Sequence, residues 1–111
     1  MQEVLCIVAI VERGKADKIV EDAKKAGAKG ATILYGRGTG ENEVQKFLTI
    51  QIESSKEVIL ILSEKKKYKP ILRAVIESGK LEKPGTGIVF TLPIFNLVGL
   101  HYREELKKNN E

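Results

Sequence analysis

Val4-Leu5-Cys6-Ile7-Val8-Ala9-Ile10-Val11 decides the fold. Every position is apolar and most are β-branched, with no polar residue to mark a solvent side. A strand of that kind is covered on both faces and belongs at the centre of a sheet. At eight residues it falls far short of the roughly 20 needed to cross a bilayer. The lone cysteine, Cys6, lies inside it. With no second cysteine to pair with, it reads as a small buried hydrophobe rather than a nucleophile.

Downstream the periodicity changes. After Gly14, residues Ala16, Ile19, Val20, Ala23 and Ala26 recur at three- and four-residue spacing, with lysines and acids between them, which predicts an amphipathic helix stopped at Gly27. Gly30 to Tyr35 then reads as a second strand running into the glycine-dense loop Gly36-Arg37-Gly38-Thr39-Gly40-Glu41-Asn42-Glu43. Phe47 to Glu53 partly alternates. Glu57 to Leu62 is a stronger buried strand after the polar break Ser54-Ser55-Lys56, giving either one long bent strand or two short ones. Tyr68, Ile71, Leu72, Val75 and Ile76 mark a second helix, with Pro70 in its first turn and Gly79 as its stop. The linker Lys80 to Gly87 leads into a last core strand, Ile88 to Pro93, and Ile94 to Tyr102 is read as a further short edge element.

The order is βαββαβ: an α+β, ferredoxin-like sandwich with two helices on one face of an antiparallel sheet. Because the strands are apolar on both sides, the other face would be a large exposed patch in a single copy, and association between copies is the economical way to cover it. A cyclic trimer packing three sheets around an axis would do so. The pattern sets the need for burial and leaves the number of copies open.

Length and composition agree with this. One domain, residues 1–103, with a polar tail over 104–111, accounts for the 111 residues, 42% of them hydrophobic. The N-terminus lacks a basic region and a small-residue cleavage pattern, so a cytoplasmic location is expected. Nineteen basic residues against 15 acidic ones give a net charge of +4 and a pI near 9.2. That mild excess suits an anionic ligand without nominating nucleic acid. The densest basic run, Lys65, Lys66, Lys67 and Lys69, reads as a solvated face.

Two glycine-rich segments are candidate ligand sites. In Gly36-Arg37-Gly38-Thr39-Gly40 the glycines let backbone amides turn toward an anion and Arg37 supplies a fixed charge. It is neither a Walker loop nor a dinucleotide fingerprint, both of which need a helix immediately afterward. Pro84-Gly85-Thr86-Gly87 offers amides and a hydroxyl, with Lys80 and Lys83 nearby. The loops follow equivalent stages of the two halves, so packing between copies could set one against the other chain's counterpart. His101 is the only histidine, without a Cys/His or carboxylate cluster beside it, and Glu41 and Glu43 read as solvated loop residues. No metal site, obligatory cofactor or catalytic constellation is expected, and the chain reads as a non-enzyme.

Taken together, these segments resemble the PII (nitrogen regulatory protein) family. Gly27-Ala28-Lys29-Gly30-Ala31-Thr32-Ile33 is similar to the Gly-x-x-Gly-x-Thr-Val that opens the family's second strand, and Gly38-Thr39-Gly40 falls where its long T-loop begins. Gly79-Lys80, then Gly85-Thr86-Gly87-Ile88-Val89-Phe90-Thr91-Leu92-Pro93, resembles its B-loop and last strand. The resemblance implies a signalling homotrimer with adenine nucleotides (ATP, ADP, AMP or cyclic di-AMP) in clefts between subunits, and T-loops that engage a protein partner such as a membrane transporter. It carries over Ile10, Thr32 and Leu62 to the base and Gly38, Gly40, Gly85, Thr86 and Gly87 to the phosphates, with Arg37 and Thr39 added locally. There are departures. Ile88, Gly99 and His101 stand where the family has a lysine and two phosphate-holding arginines. At roughly 1.5–3 kcal/mol for each charge-assisted contact, ATP held in the usual way should bind more weakly, unless Arg37, Lys80, Lys83 or Arg103 compensates. The T-loop is shortened to about Gly38–Lys46 and lacks a tyrosine.

The alternative is a small nucleic-acid-binding module, since RNA-recognition domains share the βαββαβ order. They stack bases on aromatics of the two middle strands. Here those strands read Leu5-Cys6-Ile7-Val8 and Val58-Ile59-Leu60-Ile61, and no nucleic-acid partner is expected. An acylphosphatase-like enzyme needs an arginine loop after the first strand, of which Glu12-Arg13-Gly14-Lys15 is a faint hint, and a metallochaperone needs a second cysteine.

Overall fold

A computed structural model describes residues 3–39 and 54–99. The order is β1 (Val4–Glu12), α1 (Ala16–Lys25), β2 (Thr32–Gly38), β3 (Ser54–Glu64), α2 (Tyr68–Gly79) and β4 (Gly87–Ile94). The four strands form one antiparallel sheet in the order β2-β3-β1-β4. The two-sided apolar strand β1 is therefore central, as its composition requires.

Alternation along β1 sends Leu5, Ile7, Ala9 and Val11 to the helical side, where they meet Ile59 and Ile61 of β3, Ala16, Ile19, Val20 and Ala23 of α1, and Ile71 and Val75 of α2. Ile7, Ile59, Ile61 and Val75 have no exposed surface. Burial of each is worth about 1.5–3 kcal/mol. Val4, Cys6, Val8 and Ile10 face the other way, beside Leu60 and Leu62 of β3 and Phe90 and Leu92 of β4. Among the described residues no helix covers this outer face. Leu34, Ile88, Phe90 and Leu92 on it are 40–56% exposed.

Several boundaries differ from expectation. β2 continues through Gly36-Arg37-Gly38, and β3 begins within the supposed polar break, because Gly38, Arg37 and Gly36 pair with Ser54, Ser55 and Lys56. Lys56 is held there by a 2.8 Å ion pair to Glu12, its register partner on β1. Gly79 is the last residue of α2 rather than its stop; a β-carbon there would press on Ile19 and Leu81 at 3.1–3.2 Å. The left-handed position falls on Lys80, with φ of 52°. Residues 95–99 form no strand, so the described part of Ile94–Tyr102 adds no edge element. Gly40 to Glu53, and with them Glu41, Glu43 and the Phe47–Glu53 stretch, lie outside the described residues, as do His101, Arg103 and the tail.

Two lysines of the basic run meet acids: Lys65 pairs with Glu3 at 2.9 Å and Lys67 with Glu64 at 3.5 Å. Lys65 keeps the Glu3 carboxyl below its usual range, by hydrogen bonding first and charge second.

α1 has no side-chain cap of its own. Its first amide is met instead by Glu57 of β3, whose buried carboxylate accepts from the backbone N–H of Ala16 at 3.2 Å and from that of Gly14 in the turn before the helix. A negative charge at the positive end of a helix gains from both hydrogen bonds and dipole. Glu57→Ala is expected to lower the unfolding free energy by about 2–3 kcal/mol, and Glu57→Gln by about 1 kcal/mol, in urea titrations at fixed protein concentration. A stability unchanged in both would refute the cap. Gly87, at φ of 143°, leaves no room for a side chain, since a β-carbon would lie 2.4 Å from the Ile10 carbonyl oxygen. Gly87→Ala should cost at least about 2 kcal/mol by the same measurement.

Candidate functional site

The register brings both glycine-rich segments to one end of the sheet. On β2, Arg37 and Gly38 lie opposite Ser55 and Ser54, with Thr39 just beyond. The Arg13 amide donates to the Ser55 carbonyl at 3.2 Å, tying the β1–α1 turn to the same end. Gly85 and Thr86 precede Gly87, which pairs with Val11 on β1. β2 and β4 are nonetheless the two outer strands. Three strand spacings, roughly 14 Å, separate the clusters within one chain.

The apolar candidates share the uncovered face. Ile10 sits between Val58 and Ile88, Thr32 lies opposite Leu60, and Leu62 opposite Cys6. Ile10 is thus at the glycine end, whereas Leu62 is four residues down the sheet, roughly 13 Å away. A single copy does not gather these residues into one cavity. Ile88, at the family's lysine position, lies on the outer face and is 56% exposed. Gly99 is exposed beyond β4. Burial pushes the Cys6 thiol up, in keeping with an inert side chain. Among the described residues no group of His, Cys, Asp and Glu could hold a metal ion.

Thr86 has a different use from the one its sequence context suggests. Its hydroxyl lies 2.8 Å from the Lys80 carbonyl oxygen and 2.9 Å from that of Lys83. One proton can serve only one of them at a time, and both contacts fasten the loop to itself. Toward a ligand, Thr86 presents acceptor lone pairs until that proton is redirected. Gly85, at φ of 81° with open space around it, supplies the turn.

Sequence reasoning missed Glu57, which the local pattern does not distinguish from any charge at a strand end. It also missed a groove of about 650 Å³ along α2, lined by Tyr68, Leu72, Arg73 and Lys80 among others. A second cavity, of about 570 Å³, lies at the opposite end of the sheet between Glu3, Lys65, Tyr68 and the end of β4.

No match is found among curated proteins. Among solved structures, the crystal structure of Arabidopsis thaliana PII bound to citrate is similar in fold, with a TM-score of 0.67 at 23% identity, covering 83% of this chain and 78% of that one. The family model for nitrogen regulatory protein P-II matches residues 4–104, and the chain belongs to that family.

Proposed function

We propose that the chain is a cytoplasmic signalling subunit that assembles as a homotrimer, senses an adenine nucleotide in clefts between copies, and regulates a partner protein, a membrane transporter being the family-based choice. It acts by binding, without catalysis. The observation that carries this reading is the pairing of an uncovered apolar sheet face with two glycine-rich loops at opposite edges of the same end. Packing copies through that face buries Leu34, Ile88, Phe90 and Leu92 and sets the loop of one copy beside the other loop of its neighbour. Each cleft then collects Ile10, Thr32 and Leu62 as apolar and hydroxyl contacts for a base. Arg37, Gly38, Thr39 and Gly40 lie on one side of the phosphates, and Gly85, Thr86 and Gly87 on the other.

The P-II family supports a regulatory role, and the citrate held by the Arabidopsis thaliana protein supports a small anionic effector. Ile88 and Gly99 leave few fixed charges for a triphosphate, which favours AMP or cyclic di-AMP over ATP. A nucleic-acid role has no comparable support, because the outer face of β1 and β3 carries Cys6, Val8, Val58 and Leu60 where bases would need aromatic rings.

Light scattering should give about three times the 12.3 kDa chain mass. A soluble single copy at high concentration would remove the basis for shared clefts. Calorimetry with ATP, ADP, AMP and cyclic di-AMP should detect at least one ligand. Arg37→Ala should weaken it roughly 10- to 100-fold, the loss of one charge-assisted contact, and Thr86→Ala should weaken it as well. If none of the four binds the assembled protein, the sensor reading falls.

A further inference from the structure

Tyr68, Leu72 and Ile76 recur every four residues along α2 and are half-buried. They make an apolar floor two helical turns long, roughly 12 Å. Exposed Lys69 and Arg73 rise from the next row of the helix, and Lys80 and Lys83 from the segment that follows, enclosing the groove of about 650 Å³.

The wall made by that segment is hydrogen-bonded to the end of α2 and to itself. The Lys80 amide donates to the Glu77 carbonyl at 3.2 Å, the Leu81 amide to that of Ile76 at 2.9 Å and the Lys83 amide to that of Lys80 at 3.0 Å, while the Thr86 hydroxyl can donate to the Lys80 or the Lys83 carbonyl. The first two bonds form a Schellman closure, whose left-handed position helices most often give to glycine. Here a lysine occupies it at φ of 52°, a conformation unfavourable for a side-chain-bearing residue. The strained residue is one that lines the groove.

The charge is unbalanced in the same place. Four cations face two carboxylates, Glu77 and Glu82. Among the described residues no ion pair joins any of the six, whereas Lys65 and Lys67 nearby are matched to acids. We propose that this groove docks an acidic amphipathic helix of a partner protein. Its apolar side chains, one turn apart, would fill the floor, and its flanking carboxylates would meet Lys69, Arg73, Lys80 and Lys83. A concave floor of two-turn length fits a helix rather than a membrane surface, and Glu77 and Glu82 oppose a dense layer of lipid phosphates. Lys69 and Arg73 stand on α2, outside both glycine-rich segments, whereas Lys80 and Lys83 belong to the loop that carries Gly85, Thr86 and Gly87.

The test is fluorescence anisotropy of the full chain with a labelled helical peptide carrying leucines one turn apart flanked by glutamates, beside a control with lysines replacing the glutamates. The acidic peptide is expected to bind and the basic one not. Lys69→Glu combined with Arg73→Glu, both exposed, should weaken the acidic peptide at least about tenfold and gain the basic one. Leu72→Ala should weaken binding while the helical circular dichroism stays unchanged. Absence of binding, equal binding of the two peptides, indifference to the charge reversal, or binding to phosphatidylglycerol vesicles in place of the peptide would each overturn the proposal.

Discussion

β1 has to be covered twice, and most of the architecture follows from how each covering is achieved. On one side α1 and α2 close over Leu5, Ile7, Ala9 and Val11, giving a core in which Ile7, Ile59 and Ile61 have no exposed surface. On the other, Val4, Cys6 and Val8 are buried with no helix over them among the described residues, while Leu34, Phe90 and Leu92 of the flanking strands remain exposed. The exposed apolar part of the second face favours association between copies. The two glycine-rich loops share an end of the sheet and lie at its opposite edges.

The loops are not alike in what holds them. Arg37 and Gly38 are strand residues, fixed by pairing to Ser55 and Ser54. The Lys80–Gly87 segment is fixed by a helix closure, a threonine hydroxyl and a glycine pressed against the Ile10 carbonyl. A chain that fastens this loop through its own groups leaves fewer of them pointing outward for a ligand. The charged side chains that do point outward, Lys80 and Lys83, turn toward α2 and its groove.

What could be read from residues alone was whatever periodicity encodes. The βαββαβ order, the central place of Val4–Val11 and the apolar faces of both helices stand as the pattern implied. Element ends were less legible, because they depend on partners distant in the chain. Gly36-Arg37-Gly38 carries every local mark of a loop, yet it is strand because Ser54-Ser55-Lys56 arrives beside it. Gly79 has the composition of a helix stop, but packing against Ile19 claims it for the helix and passes the left-handed turn to Lys80. Of the candidate ligand residues, the sheet end shared by the two glycine-rich segments followed from the element order. Their division between two edges required the strand order, and the engagement of Thr86 by Lys80 and Lys83 required coordinates.

The Glu57 contact also ties the stability of α1 to the sheet. α1 has no cap among its own neighbours, and the group that supplies one lies 41 residues beyond Ala16 and 43 beyond Gly14. A ten-residue helix is marginal in water by itself. Its first turn is capped only when β3 lies against β1, so the helix start draws part of its stability from a contact that closes a long loop. Loss of the β1–β3 pairing would leave that end of α1 without its acid.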